Sequence, residues 1–304
     1  MKIVRQGKTV NDAIDFYAGI YAQDQGLAHR SKKSIRYSSK PLYKFFKDKF
    51  VRDVTETEII NYKIFRGKKV SNSTIARELS ILRTSLNMAI EHGIINSHSE
   101  VEHIKNLKIK LPKQKKRGAE FIPTIEQAEQ IIELLYEPWK SLAFAAHRLA
   151  WRETELIEMR FGWIDFENKL LRLPERYSKN GIALNSPLYK EIYDFLFTKF
   201  EQAQKEYARL NVNDVYVFRK NGKKLNNNNI YYPWHQTLNR LRFPNFHFHD
   251  LRKAAISYLE IKYGMSGEMI RTLYTNQSKE VFDGWYNLVT QEKTNHWTKQ
   301  ILQM

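Results

Sequence analysis

Arg152, the pair His249-x-x-Arg252 and Tyr286 form, in chain order, a set of residues able to handle a phosphate ester. A tyrosine phenol can make a covalent ester with phosphorus. At its free pKa of about 10 it is a poor nucleophile, so it needs activation and alignment. Guanidinium groups present planar forks of donors that match two nonbridging phosphate oxygens. The chain carries 50 Lys and Arg against 33 Asp and Glu, a formal net charge of +17. A polyanionic partner is therefore expected, and the phosphate is expected to belong to a nucleic-acid backbone.

Each residue of the set has an ordinary reading beside the chemical one. Arg152 lies in LAWRETELIEMRFGWID, where Glu155 and Glu158 follow at three-residue intervals and share its face if the segment is helical. Glu155 either orients the Arg152 fork or simply neutralises it. His249 and Arg252 lie in PNFHFHDLRKAAISYLE, three apart at a helix start, where backbone donors favour an anion. Asp250 suits the first turn, His247 is a second candidate ahead of the helix, and a solvated cap cluster is the alternative. Lys179 immediately precedes Asn180-Gly181, a strong reversal signal, at the tip of an expected hairpin. It is either a solvated lysine or a proton donor to a leaving oxygen, and a nearby anion and desolvation move its pKa in opposite directions. Tyr286 is one of 17 tyrosines, set among Phe282, Trp285 and Leu288.

The elements that must position these groups are mostly helical. TVNDAIDFYAGIYAQDQG reads as a helix ending near Gly26, and residues 32–48 as a second one. Thr55 stands before an acidic first turn, a helix start. In SNSTIARELSILRTSLNMAIEHG the apolar stripe Ile75, Leu79, Leu82, Leu86, Ile90 runs to a stop at Gly93, with Arg77 and Arg83 on exposed faces. Residues 108–120, KIKLPKQKKRGAE, hold six Lys or Arg and one Glu and read as an interdomain linker. A further helix begins at Thr124 and continues through PWKSLAFAAHRLAWRETELIEM. A turn at Asn168, a short strand LLRL and the hairpin follow. Then come a long helix over LYKEIYDFLFTKFEQAQKEYARL, a short insert with VYVF, and helices near 230–241, 249–263, 266–274 and 278–287.

Charge divides along the same line. Residues 1–120 carry 25 basic and 12 acidic side chains, a net of +13, whereas residues 121–304 carry 25 and 21, a net of +4. Cysteine is absent, which excludes disulfides, thiolate metal sites and a cysteine nucleophile. No apolar run approaches a membrane span of roughly 18–20 residues, and MKIVRQGKTVNDAI lacks the apolar core of a secretory signal. The cytoplasm is the expected compartment. Neither a P-loop nor a GxGxxG sequence occurs.

Taken together, these motifs resemble the tyrosine recombinase, or phage-integrase, family. WRETELIEMRFGWID resembles its first arginine box, with Arg152 on the catalytic arginine and Glu155-Leu156 on the Glu-Leu that follows. HDLR at 249–252 fits the His-x-x-Arg box, and Tyr286 falls 34 residues beyond Arg252, at the nucleophile. LPERYSKNGIALNSPL resembles the hairpin that bears a catalytic lysine, here Lys179, closed by Pro187-Leu188. The chain departs from the pattern in three places. Leu149-Ala150-Trp151 stands where Thr-Gly is frequent, the Leu-Gly-His near the last box is missing, and Gln277 lies nine residues before Tyr286, where His or Trp helps bind the phosphate.

The resemblance implies a mainly α fold. A helical core-binding domain over residues 1–117, with room for a short N-terminal extension, precedes an α-rich catalytic domain over 118–304 with a small antiparallel sheet and a C-terminal protomer-docking segment. It implies site-specific DNA strand cleavage and rejoining through a 3′-phosphotyrosyl intermediate, as in the integrases and excision enzymes of mobile elements. Catalytic roles fall on Arg152, Lys179, His249, Arg252, Gln277 and Tyr286, with Glu155 in support. Neither a cofactor nor a metal is implied, because the covalent ester preserves the bond energy. The implied partners are double-stranded DNA with specific recombination sites and further copies of the chain, four on paired sites, with room for accessory DNA-bending proteins and none for a membrane. Two alternatives stay open: a noncatalytic DNA-binding protein with a degenerate recombinase fold, and a type IB topoisomerase-like activity.

Overall fold

The computed structural model describes residues 7–24, 26–27, 29–113, 118–179, 181–275 and 277–286, with Ala119 and Gly284 to Tyr286 described in backbone only. The chain divides into two compact units, Met1–Lys116 and Arg117–Met304.

The first unit is helical. Thr9 and Asp12 cap α1 (Val10–Ile14) reciprocally: the Thr9 hydroxyl accepts from Asp12 N at 3.1 Å and Asp12 Oδ2 from Thr9 N at 2.8 Å. A π-helical stretch, Asp15–Tyr21, leads into α2 (Ala22–Asp24). Then come α3 (His29–Phe46), α4 (Glu56–Gly67), α5 (Asn72–Glu91) and α6 (His98–Asn106). Thr55 caps α4 through the amide of Glu58 at 3.3 Å. The α5 stripe packs against α1 and α3, with Ile75, Leu79, Leu82 and Leu86 buried, Ile90 half-buried, and Arg77 and Arg83 exposed. Its buried face also holds Glu78, which accepts from the Tyr62 hydroxyl at 2.7 Å and from Arg66 Nε at 2.9 Å. A buried carboxylate is tolerated because those donors replace its water.

The second unit begins with α7 (Ile125–Leu134), capped by Thr124 and Gln127, followed by α8 (Trp139–Leu149) and α9 (Glu153–Glu158). Strands β1 (Ile164–Asp165), β2 (Leu170–Leu173) and β3 (Leu184–Pro187) make one antiparallel sheet in that order. The chain continues through α10 (Lys190–Glu206), the hairpin β4 (Arg219–Lys220) and β5 (Lys223–Lys224), α11 (Tyr231–Leu241) and α12 (Asp250–Tyr263). It reaches α13 (Gly267–Ile270), a π-helical segment Arg271–Thr275, and α14 (Lys279–Tyr286). The sheet, α8 and α12 enclose the apolar core around Trp151, Leu171, Leu251 and Tyr258.

Two sequence expectations are corrected. The helix read through PWKSLAFAAHRLAWRETELIEM is broken at Ala150, which takes a left-handed φ of 50°. Apolar spacing continues across the break, so periodicity hid it. The helix read to Leu210 ends at Glu206. The VYVF segment pairs instead with the chain after α9, through Phe161 N to Val215 O at 3.1 Å and Val217 N to Met159 O at 2.9 Å. Asn168 lies in the β1–β2 turn, with its amide bonded to Asp165 Oδ1 at 2.9 Å.

Candidate active site

Ala150 reverses the chain so that Trp151 is buried and Arg152 becomes the cap residue of α9. Arg152, Glu155 and Glu158 thus do not share one uninterrupted helix face. Glu155 turns back onto Arg152: its Oε2 accepts from the Arg152 amide at 2.7 Å and its Oε1 from Arg152 Nη1 at 2.6 Å. Glu158 turns away and pairs with Lys224. With 2% of its surface exposed, Glu155 fixes the guanidinium and caps the helix at once.

Arg252, in the first turn of α12, meets the same carboxylate from the other side, with Nη1 3.6 Å from Glu155 Oε2. Its Nη2 donates to the carbonyl of Thr275 at 2.6 Å, while Nε and Nη1 are buried with no hydrogen-bond partner. Burial, then the Arg152 charge, lowers its pKa to about 9 against the pull of Glu155, so it stays cationic at neutral pH. Two guanidinium groups therefore share one carboxylate. Buried donors without partners are costly, and an oxyanion is the chemical class that would satisfy them.

His249 is the N-terminal cap residue of α12. The desolvating surroundings, then Arg252 and Lys253, push its pKa down to about 4, with Asp250 opposing, so the imidazole is neutral at pH 7. Asp250 fastens the turn: Oδ2 accepts from the His247 amide at 2.7 Å and Oδ1 from Lys253 Nζ at 2.7 Å. Lys253, nearly buried beside the site, was not singled out from the sequence. Its position next to Arg252 was the available signal.

The remaining candidates are less tightly grouped. Gln277 follows the π-helical segment; its carbonyl accepts from Arg271 Nη1 at 3.1 Å and its side-chain Oε1 is buried without a partner. Lys179 is exposed on the loop joining β2 to β3, and among the described residues no hydrogen bond or ion pair links it to Arg152, His249 or Arg252. Tyr286 is the last residue of α14 and its side chain lies outside the described residues. So do Asn180 and the segment 287–304 read as a docking tail.

A hydrogen-bond relay that sequence reading missed joins these parts. Trp151 Nε1 donates to Ser186 Oγ at 3.0 Å, and Ser186 Oγ donates to Leu273 O at 2.6 Å. The Tyr274 hydroxyl donates to Pro187 O at 2.8 Å. Strand β3 thus ties the arginine turn to the π-helical segment that offers Thr275 O to Arg252. Among the described residues, no helix is long and apolar enough to cross a membrane.

The model of the phage integrase family matches residues 124–292, and that of the phage integrase SAM-like domain matches residues 12–105. The chain is 26% identical over 217 residues to the shufflon-specific DNA recombinase of Escherichia coli, covering 67% of this chain and 50% of that protein. It is 24% identical over 244 residues to the integrase of Salmonella phage P22, covering 77% and 58%. It thus spans about half the length of the curated relatives it matches. A lambda integrase dimer bound to a COC′ core site superposes with a TM-score of 0.72 at 16% identity, covering 92% of this chain and 77% of that one. A lambda integrase tetramer bound to a Holliday junction gives 0.69 at 16%, covering 90% and 78%. The Tn1549 transposon integrase with circular intermediate DNA gives 0.69 at 13%, covering 92% and 95%. At these identities the likeness is one of fold.

Proposed function

The chain belongs to the phage integrase family, and on that premise we propose that it cleaves and rejoins double-stranded DNA at specific sites through a 3′-phosphotyrosyl intermediate. The observation that carries the reading is the Arg152–Glu155–Arg252 cluster, with two guanidinium groups on one carboxylate and unpartnered buried donors on Arg252.

In this reading the Tyr286 oxygen attacks phosphorus, the bond to the 5′ oxygen breaks, and Lys179 gives that oxygen a proton. Arg152 and Arg252 hold the nonbridging oxygens as negative charge grows, and Glu155 sets the orientation of both forks. Neutral His249 contributes an N–H donor, and the bound phosphate raises its pKa from the low value of the free site. Gln277 donates a hydrogen bond where the family commonly has His or Trp. A hydroxyl of the partner strand then attacks the phosphotyrosine and reverses the chemistry, so the bond energy is conserved. The first unit, residues 1–117 in this division, binds the core DNA, and residues 118–304 carry out the chemistry. Four protomers act on paired sites in the cytoplasm as the integrase and excision enzyme of a mobile element, with segment 287–304 docking on a neighbour.

Gln277 favours a second reading, a noncatalytic DNA-binding protein on the same fold. A nicked suicide duplex, built on the site that the chain selects from a random pool, separates the two. A covalent adduct with the parent and none with Tyr286→Phe supports the enzyme; a bound duplex that never yields an adduct sinks it. Exchange between two labelled duplexes, as opposed to relaxation of supercoils, separates recombination from topoisomerase-like activity.

A further inference from the structure

The last turn of α8 carries a second buried arginine. Arg148 is 3% exposed and stands four residues before Arg152, on the other side of the Ala150 turn. Each of its guanidinium nitrogens is taken. Nε donates to Glu191 Oε1 of α10 at 2.9 Å, Nη2 to Glu129 Oε1 of α7 at 2.5 Å, and Nη1 to Nδ1 of the fully buried His147. Its central carbon lies 4.1 Å from the ring centre of Tyr258, on α12, and 4.7 Å from that of Phe144. Glu191 closes the circuit, since its Oε2 accepts from the hydroxyls of Tyr258 and Tyr263, both on α12.

The main chain follows the same plan. In an unbroken helix the Arg152 amide would donate to the Arg148 carbonyl, four residues back. The turn at Ala150 separates them, and each half of the lost bond has its own partner. The Arg152 amide donates to Glu155 Oε2 at 2.7 Å, and the Arg148 carbonyl accepts from the Tyr189 hydroxyl at 2.9 Å. Arg148 thus fastens the end of α8 to α7, α10 and α12, and α12 is the helix that bears Arg252. Arg252 keeps two buried nitrogens without a hydrogen-bond partner and suits a ligand, whereas Arg148 keeps none. A buried ion cluster is weak evidence for stability, because apolar side chains of similar volume often serve as well. Directed bonds do fix position, and a misplacement of about 1 Å at a reacting site can cost about 100-fold in rate.

We propose that Arg148 is a positioning residue for the phosphoryl transfer: its fully bonded guanidinium locks the end of α8 onto α10 and α12 and so sets where Arg152 stands relative to Arg252. It touches no phosphate itself. The chemistry it serves is that of the DNA-recombinase reading, on which the inference rests.

The test uses the full chain and the nicked suicide duplex, saturated with protein, with one nonbridging oxygen of the scissile phosphate replaced by sulfur in each of the two stereoisomers. Sulfur is a poorer hydrogen-bond acceptor than oxygen, so the ratio of adduct rates between the isomers reports how the two arginine forks grip the two oxygens. Arg148→Met is expected to melt near the parent, to form adduct on the all-oxygen duplex about 10- to 100-fold more slowly, and to shift the isomer ratio by about threefold or more. Val217→Ala, which hollows the same core outside this cluster, is expected to lower the melting temperature and leave the ratio unchanged. An Arg148→Met protein, folded at the assay temperature, that keeps either the parent rate or the parent ratio overturns the proposal. If that variant does not fold, Tyr189→Phe, which removes only the hydroxyl on the Arg148 carbonyl, is judged by the same two outcomes. A parent that binds the duplex and yields no adduct overturns the recombinase reading itself, and the proposal with it.

Discussion

Arg252 donates to the main-chain carbonyl of Thr275 at 2.6 Å, across 23 residues of sequence. The bond fastens the first turn of α12 to the segment that leads into α14, at whose end Tyr286 stands. A group proposed to bind phosphate oxygens is thereby tied to the backbone that carries the proposed nucleophile. Since the contact uses a carbonyl, no side-chain change at Thr275 removes it, and the arginine end is the one open to test.

Arg252→Lys keeps the charge but cannot span both Thr275 O and an oxyanion with a planar fork. Adduct formation on the suicide duplex should fall by about 100- to 1,000-fold, the loss typical of one transition-state donor. Duplex affinity, measured by gel shift, should change by less than about threefold. Equal losses in both would make Arg252 a ground-state DNA contact and nothing more.

Glu155 separates two guanidinium groups in a site where it is itself 2% exposed. Glu155→Gln leaves those cations without a counter-charge, and removal of one partner from a buried pair costs about 3–5 kcal/mol. The urea midpoint should drop accordingly. Sulfate should restore part of the loss, and more in the variant than in the parent, because the anion takes the place of the carboxylate charge.

How much of this was legible in the sequence depends on the kind of contact. The capping residues Thr55 and Thr124 and the α5 stripe are local patterns, and local patterns survive without the fold. The arginine and His-x-x-Arg boxes were visible as motifs, yet their meeting at Glu155 is a tertiary fact. The turn at Ala150 was hidden because alanine is a helix former held in a left-handed conformation by the burial of Trp151 and Arg152's capping role. A glycine would take the positive φ at this position without strain, whereas alanine does so at a cost, so the absence of the Thr-Gly frequent in the resembled family has a backbone meaning. Thr275 and Ser186 act through a carbonyl and a single hydroxyl, and neither leaves a signature in a lone sequence.

Ser186 offers a positioning test. It accepts from Trp151 and donates to Leu273, so Ser186→Ala strands a donor and an acceptor in the core, each worth about 1–3 kcal/mol. Thermal unfolding should shift down, while at a temperature where the variant is fully folded the adduct rate should fall more than duplex affinity. A stability loss with an unchanged adduct rate would confine the relay to folding.

The low pKa of His249, about 4, gives acid sensitivity a defined sign. An unfolded histidine titrates near 6.5, so between about 4 and 6.5 the unfolded state binds a proton that the folded state does not. Stability is retained above 6.5 and declines as pH falls through this window. Fully buried His147, whose pKa burial and then Arg148 push well below the ordinary value, acts in the same direction. Urea midpoints from pH 7.5 to 5 should therefore fall. His249→Gln should flatten the slope by less than one proton, the most that one histidine contributes, and the part due to His147 should remain. An unaltered slope would mean that His249 titrates as freely as in the unfolded chain.

Lys179 is the candidate whose role depends most on a change of position, being exposed on the β2–β3 loop and unbonded to the arginine cluster. If it protonates the departing 5′ oxygen, Lys179→Ala should slow adduct formation about 100-fold or more, in the range of general-acid catalysis. The loss should vanish on a duplex whose scissile 5′ oxygen is replaced by sulfur, because a thiolate, with a thiol pKa of about 8.5, departs without a proton. Arg252→Lys should stay slow on that same duplex, its defect lying in holding the nonbridging oxygens and not in the leaving group. A Lys179→Ala variant slow on both substrates would place the lysine among the groups that bind the phosphate, and one fast on both would return it to the solvated surface.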